Sequence, residues 1–397
     1  MMDYEWIKKA ARDMRDQTLG FRRHLHRYPE LSFQEHETSQ YVAECLTRAG
    51  IPYEPVAGTG LLARIEGQGD RNRCVVLRAD MNALPIQENS SLPFASRHPG
   101  VMHACGHDIH TACLLGTMCL LQTHRDQIQG TVFGLFQPGE ELSPGGASRV
   151  LAEDPFRGYD VQAFIGEHVA PELPAGQLGL RSGKYMASSD EIRMTVRGRG
   201  GHAALPHLLA DPVLAMAALL VALQQVASRN VDTTIPTVLS FGRVMADGAT
   251  NVIPSEVFLE GTLRTMDETW RARALQRIHE IARGVGEAHG VQIEVNVAPG
   301  GYPCVVNDPA VSARAREVFA ALWGADHITE LPLRMTAEDF GSYTQHYPSV
   351  FYRLGVGYTD GREAGGLHTP DFCPNEEALE IGVATLSALA LYELARR

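Results

Sequence analysis

The stretch Thr131-Val132-Phe133-Gly134-Leu135-Phe136-Gln137-Pro138-Gly139-Glu140-Glu141 runs from apolar residues through a turn into two adjacent carboxylates. A short apolar run closed by Pro-Gly is the pattern of a strand buried on both faces. Residues 61–65, 74–77, 161–165 and 350–354 are further short apolar runs. Helices are expected over residues 3–27, ending before Pro29, and over 36–49, closed by Gly50. Apolar strands alternating with helices predict an α/β fold with a parallel or mixed sheet covered on both faces. Ligands of such sheets bind at the carboxyl ends of the strands. Asp80, Glu140, Glu141 and His168 are each expected just past such an end, and His368 follows another strand after a Gly-rich loop.

The middle third reads differently. Residues 191–197, 237–243, 257–265 and 291–297 are expected strands, and 211–228 and 271–289 expected helices. This β-α-β-β-α-β order is that of a ferredoxin-like unit. It predicts a domain at 185–297 inserted into a discontinuous larger domain at 1–184 and 298–397. Arg181-Ser182-Gly183 and Pro299-Gly300-Gly301 mark the crossings.

Composition limits the function. A chain of 397 residues, 44% hydrophobic and 21% charged, is expected to be globular with two domains. A net charge of −12 argues against nucleic acid or an anionic membrane as partner. No segment approaches the roughly 18 apolar residues of a membrane span; the best, 213–223, is short and follows the helix start Asp211-Pro212. The charged N-terminus lacks a signal-peptide core. Seven cysteines without framework spacing predict reduced thiols and a cytoplasmic location. Cys45, Cys74, Cys113, Cys119, Cys304 and Cys373 are expected to be core or surface thiols.

The seventh cysteine lies in His103-Ala104-Cys105-Gly106-His107-Asp108. Thiolate and imidazole two positions apart suit zinc or another first-row divalent metal. The bland reading is a core thiol and a capping histidine. Four polar residues (His103, His107, Asp108, His110) within eight positions tilt the balance, and Gly106 relieves crowding around an ion. Glu140 and Glu141 are either solvated turn residues or, beside a metal, one ligand and one proton acceptor for an attacking water. With His168 and His368 there are five candidate ligands, enough for two ions sharing one. Asp80 is expected to orient a ligating histidine or to close the strand by a backbone hydrogen bond.

Ordered blocks then point further. They are Arg22-Arg23-His24-Leu25-His26 with Pro29-Glu30-Leu31-Ser32, Arg78-Ala79-Asp80-Met81 with Ala83-Leu84-Pro85, and Met102 to Asp108. Phe136-Gln137-Pro138-Gly139-Glu140-Glu141, Gly200-Gly201-His202-Ala203-Ala204-Leu205-Pro206-His207, Asn251-Val252-Ile253-Pro254 and Glu338-Asp339-Phe340 follow. Nearly end to end, the chain resembles the M20 metallopeptidase family, in its aminoacylase and hippurate-hydrolase-like branch that includes auxin-conjugate hydrolases. The resemblance implies a phosphorylase/hydrolase-like mixed-sheet catalytic domain with an inserted ferredoxin-like lid that also forms a homodimer or higher homo-oligomer. It implies two divalent ions per subunit, with Cys105, His107, Glu141, His168 and His368 as ligands and Glu140 as general base. Thiolate and imidazole favour zinc, while the resemblance admits manganese, cobalt or nickel. His202 matches a lid histidine that reaches the neighbouring subunit's site and stabilises the oxyanion. Asn251 matches a lid residue near the substrate, and Arg264 is a candidate clamp for a substrate carboxylate or else a surface charge.

Two departures stand out: Asn82 where an aspartate is usual, and Thr336-Ala337 where Gly-Gly is usual. The expectation is a metal-dependent amidohydrolase of N-acyl-L-amino acids, with a dipeptidase or carboxypeptidase of the same family as the alternative. Cys105 as a covalent nucleophile and a silent metal-stabilised scaffold are the rival readings.

Overall fold

The computed structural model describes residues 4–396. They form two compact units. One comprises the chain through Tyr185, Val306–Pro332 and the chain from Ser342 onward; the other comprises Met186–Val305 and Leu333–Gly341. The second unit thus takes up residues 298–305 and 333–341, beyond the expected 185–297. Short bridges cause this: Ser189 pairs with Tyr302 and Met186 with Arg334, and the Ala187 N–H donates to the Arg334 and Thr336 carbonyls. Bridges of one residue leave no periodicity to read.

In the first unit, helices α1 (Glu5–Asp13), α2 (Arg15–Arg27) and α3 (His36–Arg48) precede β1 (Tyr53–Val56), β2 (Gly60–Glu66) and β3 (Arg73–Asp80). Helix α4 (His107–Thr123) leads into β4 (Thr131–Gln137) and later β5 (Asp160–Pro174). The eight-stranded sheet has the order β1, β2, β4, β3, β5, Ser349–Gly357, Leu178–Leu180, Ile328–Glu330. β3 pairs in parallel with β4 and β5, and β5 with Ser349–Gly357, while β2 is antiparallel to β1 and β4. The sheet is mixed, as expected. Its register sets Asp80 opposite Gln137 and Arg78 opposite Gly166, so β3, β4 and β5 deliver side chains to one end.

Three local expectations change. The helix expected over 3–27 is two helices meeting at Met14, and its first residue, Asp3, lies outside the described residues. The break lets α1 pack on the C-terminal helix Ala378–Ala395 while α2 packs on α4. His168 lies inside β5, not past its end. β3 pairs with it only as far as Gly166, but pairing with Ser349–Gly357 carries that strand through Gly166-Glu167-His168, whose polarity alone reads as a strand end. Finally, Pro212–Asn230 and Ala378–Ala395 are long and apolar enough to cross a membrane, contrary to the expectation that no segment is. In Ala378–Ala395, 78% of the apolar window is buried, as befits a core helix packed on α4. α4 itself is buried nearly all round, its polar first turn included.

The second unit has strands Asp190–Arg197, Thr237–Met245, Glu256–Thr265 and Gln292–Val297 with helices Pro212–Leu223 and Glu268–His289. Its antiparallel sheet runs Thr237–Met245, Glu256–Thr265, Asp190–Arg197, Gln292–Val297, the ferredoxin-like order. The two helices start where the Asp211 and Asp267 carboxylates accept first-turn N–H groups.

Candidate metal centre

The turn before α4 brings Cys105 and His107 together. Gly106 has φ +81°, and a Cβ there would stand 2.5 Å from Val169 Cγ2, so both conformation and space require glycine. The obstacle is thus a β5 side chain, more specific than the crowding around an ion expected from spacing alone. His107 Nδ1 donates to the Asn82 carbonyl at 2.8 Å, which leaves Nε2 as the bare lone pair. That Nε2 is buried and has no hydrogen-bond partner. His168 Nδ1 donates to the Val169 carbonyl at 2.8 Å, and its Nε2 lies 3.4 Å from Cys105 Sγ.

His368 comes from the loop after Ser349–Gly357. Its φ of +61° is unusual for a residue with a side chain, and its N–H donates to the Ala104 carbonyl at 2.8 Å. Its Nε2 lies 3.3 Å from Cys105 Sγ and 3.0 Å from Glu141 Oε1. Two three-donor groups result, Cys105–His107–His168 and Cys105–Glu141–His368, sharing one sulfur, with donor atoms within 4.8 Å of one another. Sulfur and nitrogen bound tetrahedrally to one zinc stand about 3.5 Å apart, close to the separations here. The orphaned His107 Nε2 and this mixed S, N, O donor set fit divalent cations. All five candidate ligands therefore stand together in the first unit.

Electrostatics agree. Burial, and then Glu141, Glu140 and Asp80, push the Cys105 thiol well above its ordinary range. Burial, and then Arg353 and His110, keep His168 neutral. Burial works against ionised Glu141, but the His368 hydrogen bond and His107 hold it below the usual carboxylate range. Clustered carboxylates beside the thiol and the neutral His168 favour a cation.

Glu140 is buried and forms a third donor group with His107 and Glu141. Its backbone N–H donates to Asn82 Oδ1 at 2.8 Å. Asn82 therefore touches both the Glu140 turn and His107, a role that its departure from the usual aspartate does not announce. Asp80 closes β3, fully buried. The histidine it holds is His110, with Nδ1 at 2.6 Å from Oδ1, and not one of the candidate ligands. Arg78 Nη1 donates to Oδ2 at 2.8 Å, and His107 Nε2 lies 3.6 Å from the same oxygen. His110 Nε2 in turn accepts the Val169 N–H, beside His168. His103 is buried with neither ring nitrogen hydrogen-bonded, and burial brings its pKa down to about 3.

The remaining candidates lie in the second unit. His202 pairs with Val252 in a two-stranded ribbon, and the Ala203 N–H donates to the Asn251 carbonyl, so His202 and Asn251 share one exposed ribbon. Arg264 lies apart from them on the four-stranded sheet, its guanidinium donating to Thr262 Oγ1.

Residues 76–392 match peptidase family M20/M25/M40. The chain belongs to this family. Among its relatives, the N-acetyl-L-cysteine deacetylase of Bacillus subtilis is 39% identical over 387 residues, covering 96% of this chain and 88% of that protein. The N-acyl-L-amino acid amidohydrolase of Geobacillus stearothermophilus is 42% identical over 308 residues, covering 77% and 82%. The solved structure of Bacillus subtilis YxeP, described as a dinuclear metal binding peptidase of the M20 family, superposes with a TM-score of 0.82 at 34% identity, covering 97% of this chain and 99% of that one. As a member of the M20 family, the chain is a hydrolase of amide bonds.

Proposed function

We propose that the protein hydrolyses the amide bond of N-acyl-L-amino acids, or small related conjugates, to a carboxylic acid and a free amino acid. One observation carries this: two three-donor groups share the Cys105 sulfur, and a further buried carboxylate, Glu140, adjoins them. Divalent ions held by Cys105, His107, Glu141, His168 and His368 would supply Lewis acidity to the scissile carbonyl and the attacking water. Zinc suits the thiolate and imidazoles; manganese, cobalt and nickel are the other candidates. Glu140 takes the proton of the attacking water and returns it to the leaving nitrogen. Asp80 holds His110, which braces the strand that carries His168.

His202, supplied by a second copy of the chain, stabilises the tetrahedral oxyanion, with Asn251 and Arg264 on the substrate. The second unit would thus act as lid and dimerisation domain. Its surface supports that role. Leu214 and Val221 are exposed on the apolar helix, and Val238, Val244 and Met245 on the edge strand Thr237–Met245. These features favour a homodimer or higher homo-oligomer. Seven free cysteines, six of them buried, suit a reducing, cytoplasmic setting.

A dipeptidase or carboxypeptidase action is the second reading, favoured by the description of YxeP as a peptidase. The test is amine release from acetyl, benzoyl and long-chain acyl amino acids and from dipeptides, with added zinc or manganese. Faster cleavage of acyl amino acids than of dipeptides is expected. Replacing Glu140 with Gln should leave metal content intact and reduce turnover at least about a hundredfold. Near-parental turnover of that variant sinks the assignment of the base.

A further inference from the structure

Glu35 occupies the N-cap position of α3, yet its side chain makes no cap hydrogen bond. An acidic residue there ordinarily accepts N–H groups of its own first turn. In α3, Glu30 does so instead: its carboxylate oxygens accept the Glu37 and Thr38 N–H groups at 3.2 and 2.8 Å. Glu35 is thereby released to reach elsewhere. Fully buried, it places Oε1 at 2.8 Å from the Gly139 N–H and Oε2 at 2.7 Å from Thr59 Oγ1.

The next N–H along that turn, from Glu140, goes to Asn82 Oδ1 at 2.8 Å. Two consecutive amides of one loop are thus each held by a buried side-chain acceptor, from two different parts of the chain. The grip is closed by packing. Gly139 has φ +63°, and a Cβ on it would meet the Phe33 ring at 2.3 Å. Phe33, itself at φ +62°, is covered by the Arg149 guanidinium 3.5 Å from its centroid. The segment Pro29 to Glu35, which the reaction itself does not use, therefore acts on the turn that carries the base. Glu30 joins it to the strand end as well, because its carbonyl accepts the Ala83 N–H at 2.7 Å, beside Asn82.

We infer that Glu35 and Asn82 are positioning residues for Glu140, holding the turn that presents its carboxylate by accepting the Gly139 and Glu140 N–H groups. The inference rests on Glu140 being the base. A general base must stand within hydrogen-bond reach of the proton it takes, and displacement by about 1 Å costs about a hundredfold in rate. Buried acceptors on consecutive amides restrict such displacement, because leaving either amide unsatisfied in the interior is costly.

The test compares Glu35→Ala, Glu35→Gln, Asn82→Ala, Asn82→Asp and Thr59→Val with the parent and with Glu140→Gln, each at full metal content. Glu35→Ala and Asn82→Ala are expected to lower kcat about 10- to 100-fold with KM within about threefold of the parent. Glu35→Gln and Asn82→Asp keep an acceptor oxygen and should recover most of kcat. Thr59→Val removes the other partner of Glu35 and should lower stability with kcat retained. Glu35→Ala should add little to the loss already present in Glu140→Gln, since both act through one group. Near-parental kcat in Glu35→Ala and Asn82→Ala, alongside a collapsed Glu140→Gln, overturns the inference and spares the base. Near-parental kcat in Glu140→Gln overturns the base itself. Should the alanine variants not fold, hydrogen exchange on the parent protein decides: Gly139 and Glu140 amides must be as protected as the β4 amides, and fast exchange there overturns the inference.

Discussion

Cys105 and His368 are 263 positions apart, yet His368 Nε2 lies 3.3 Å from the Cys105 sulfur. The approach is built into the backbone. The His368 N–H is tied to the Ala104 carbonyl, one residue before the sulfur, and His368 itself takes a left-handed φ. The last candidate ligand in the chain is thus registered on the first.

Cys105 is therefore expected to behave as a ligand. Its thiol should resist alkylation in the metal-loaded protein and react only after a chelator is added, as read by peptide mapping. Zinc or manganese should restore activity to the chelated protein. Equal alkylation with and without chelator would support the covalent-nucleophile reading.

Gly106→Ala forces a side chain into a left-handed position against Val169. A loss of about 1–3 kcal/mol is expected in urea unfolding, together with reduced metal stoichiometry, because the Cys105–His107 turn must shift. Parental metal content in the variant would show that the turn tolerates the change.

Arg22 extends the same turn's support into α2. Its Nε donates to Asp108 Oδ2 at 2.9 Å, and both side chains are almost wholly buried. His26 Nδ1 donates to the same oxygen at 2.9 Å. Arg22→Met leaves Asp108 in the interior without its strongest partner, and about 3–5 kcal/mol of stability should be lost in urea titration. A change below 1 kcal/mol would mean that His26 alone suffices.

Glu88 gives a pH dependence. Burial opposes its ionisation, but hydrogen bonds from His26, Ser90 and the Ser96 N–H bring its pKa down to about 2, from an ordinary 4.5. A carboxylate with a depressed folded pKa stabilises the protein above its unfolded value, and that stability is lost as pH falls through the folded one. The contribution should be complete above about pH 4.5 and vanish toward pH 2. Glu88→Gln should lower the urea midpoint at pH 6 and flatten its decline below pH 4.5. An identical acid slope in both proteins would remove Glu88 from the account.

Residue type and place along the chain marked Cys105, His107, Glu141, His168 and His368 as candidates, each with a structural reading beside it. The resemblance to the M20 family is what joined them into one ligand set. The alternation of apolar runs likewise showed the mixed sheet, and the ferredoxin-like order of the middle third was legible strand by strand. What failed was local. The polar Gly166-Glu167-His168 hid the continuation of β5, because pairing with Ser349–Gly357, not composition, extends that strand past the end of its β3 pairing. The apolar Ala378–Ala395 went unmarked as a long helix, and its burial against α4 is a property of its neighbours.

The sequence by itself determined the fold class and the inventory of chemistry, because strand and helix periods and ligand types are properties of short segments. Tertiary structure alone decided which groups hold which. It gave Asp80 to His110, the His107 Nδ1 proton to Asn82, and the amides of Gly139 and Glu140 to Glu35 and Asn82. Those partners are separated by 25 to 104 positions. Hydrogen bonds between such distant groups are selected by the packed interior, where every buried donor must find an acceptor, and no local pattern encodes that choice.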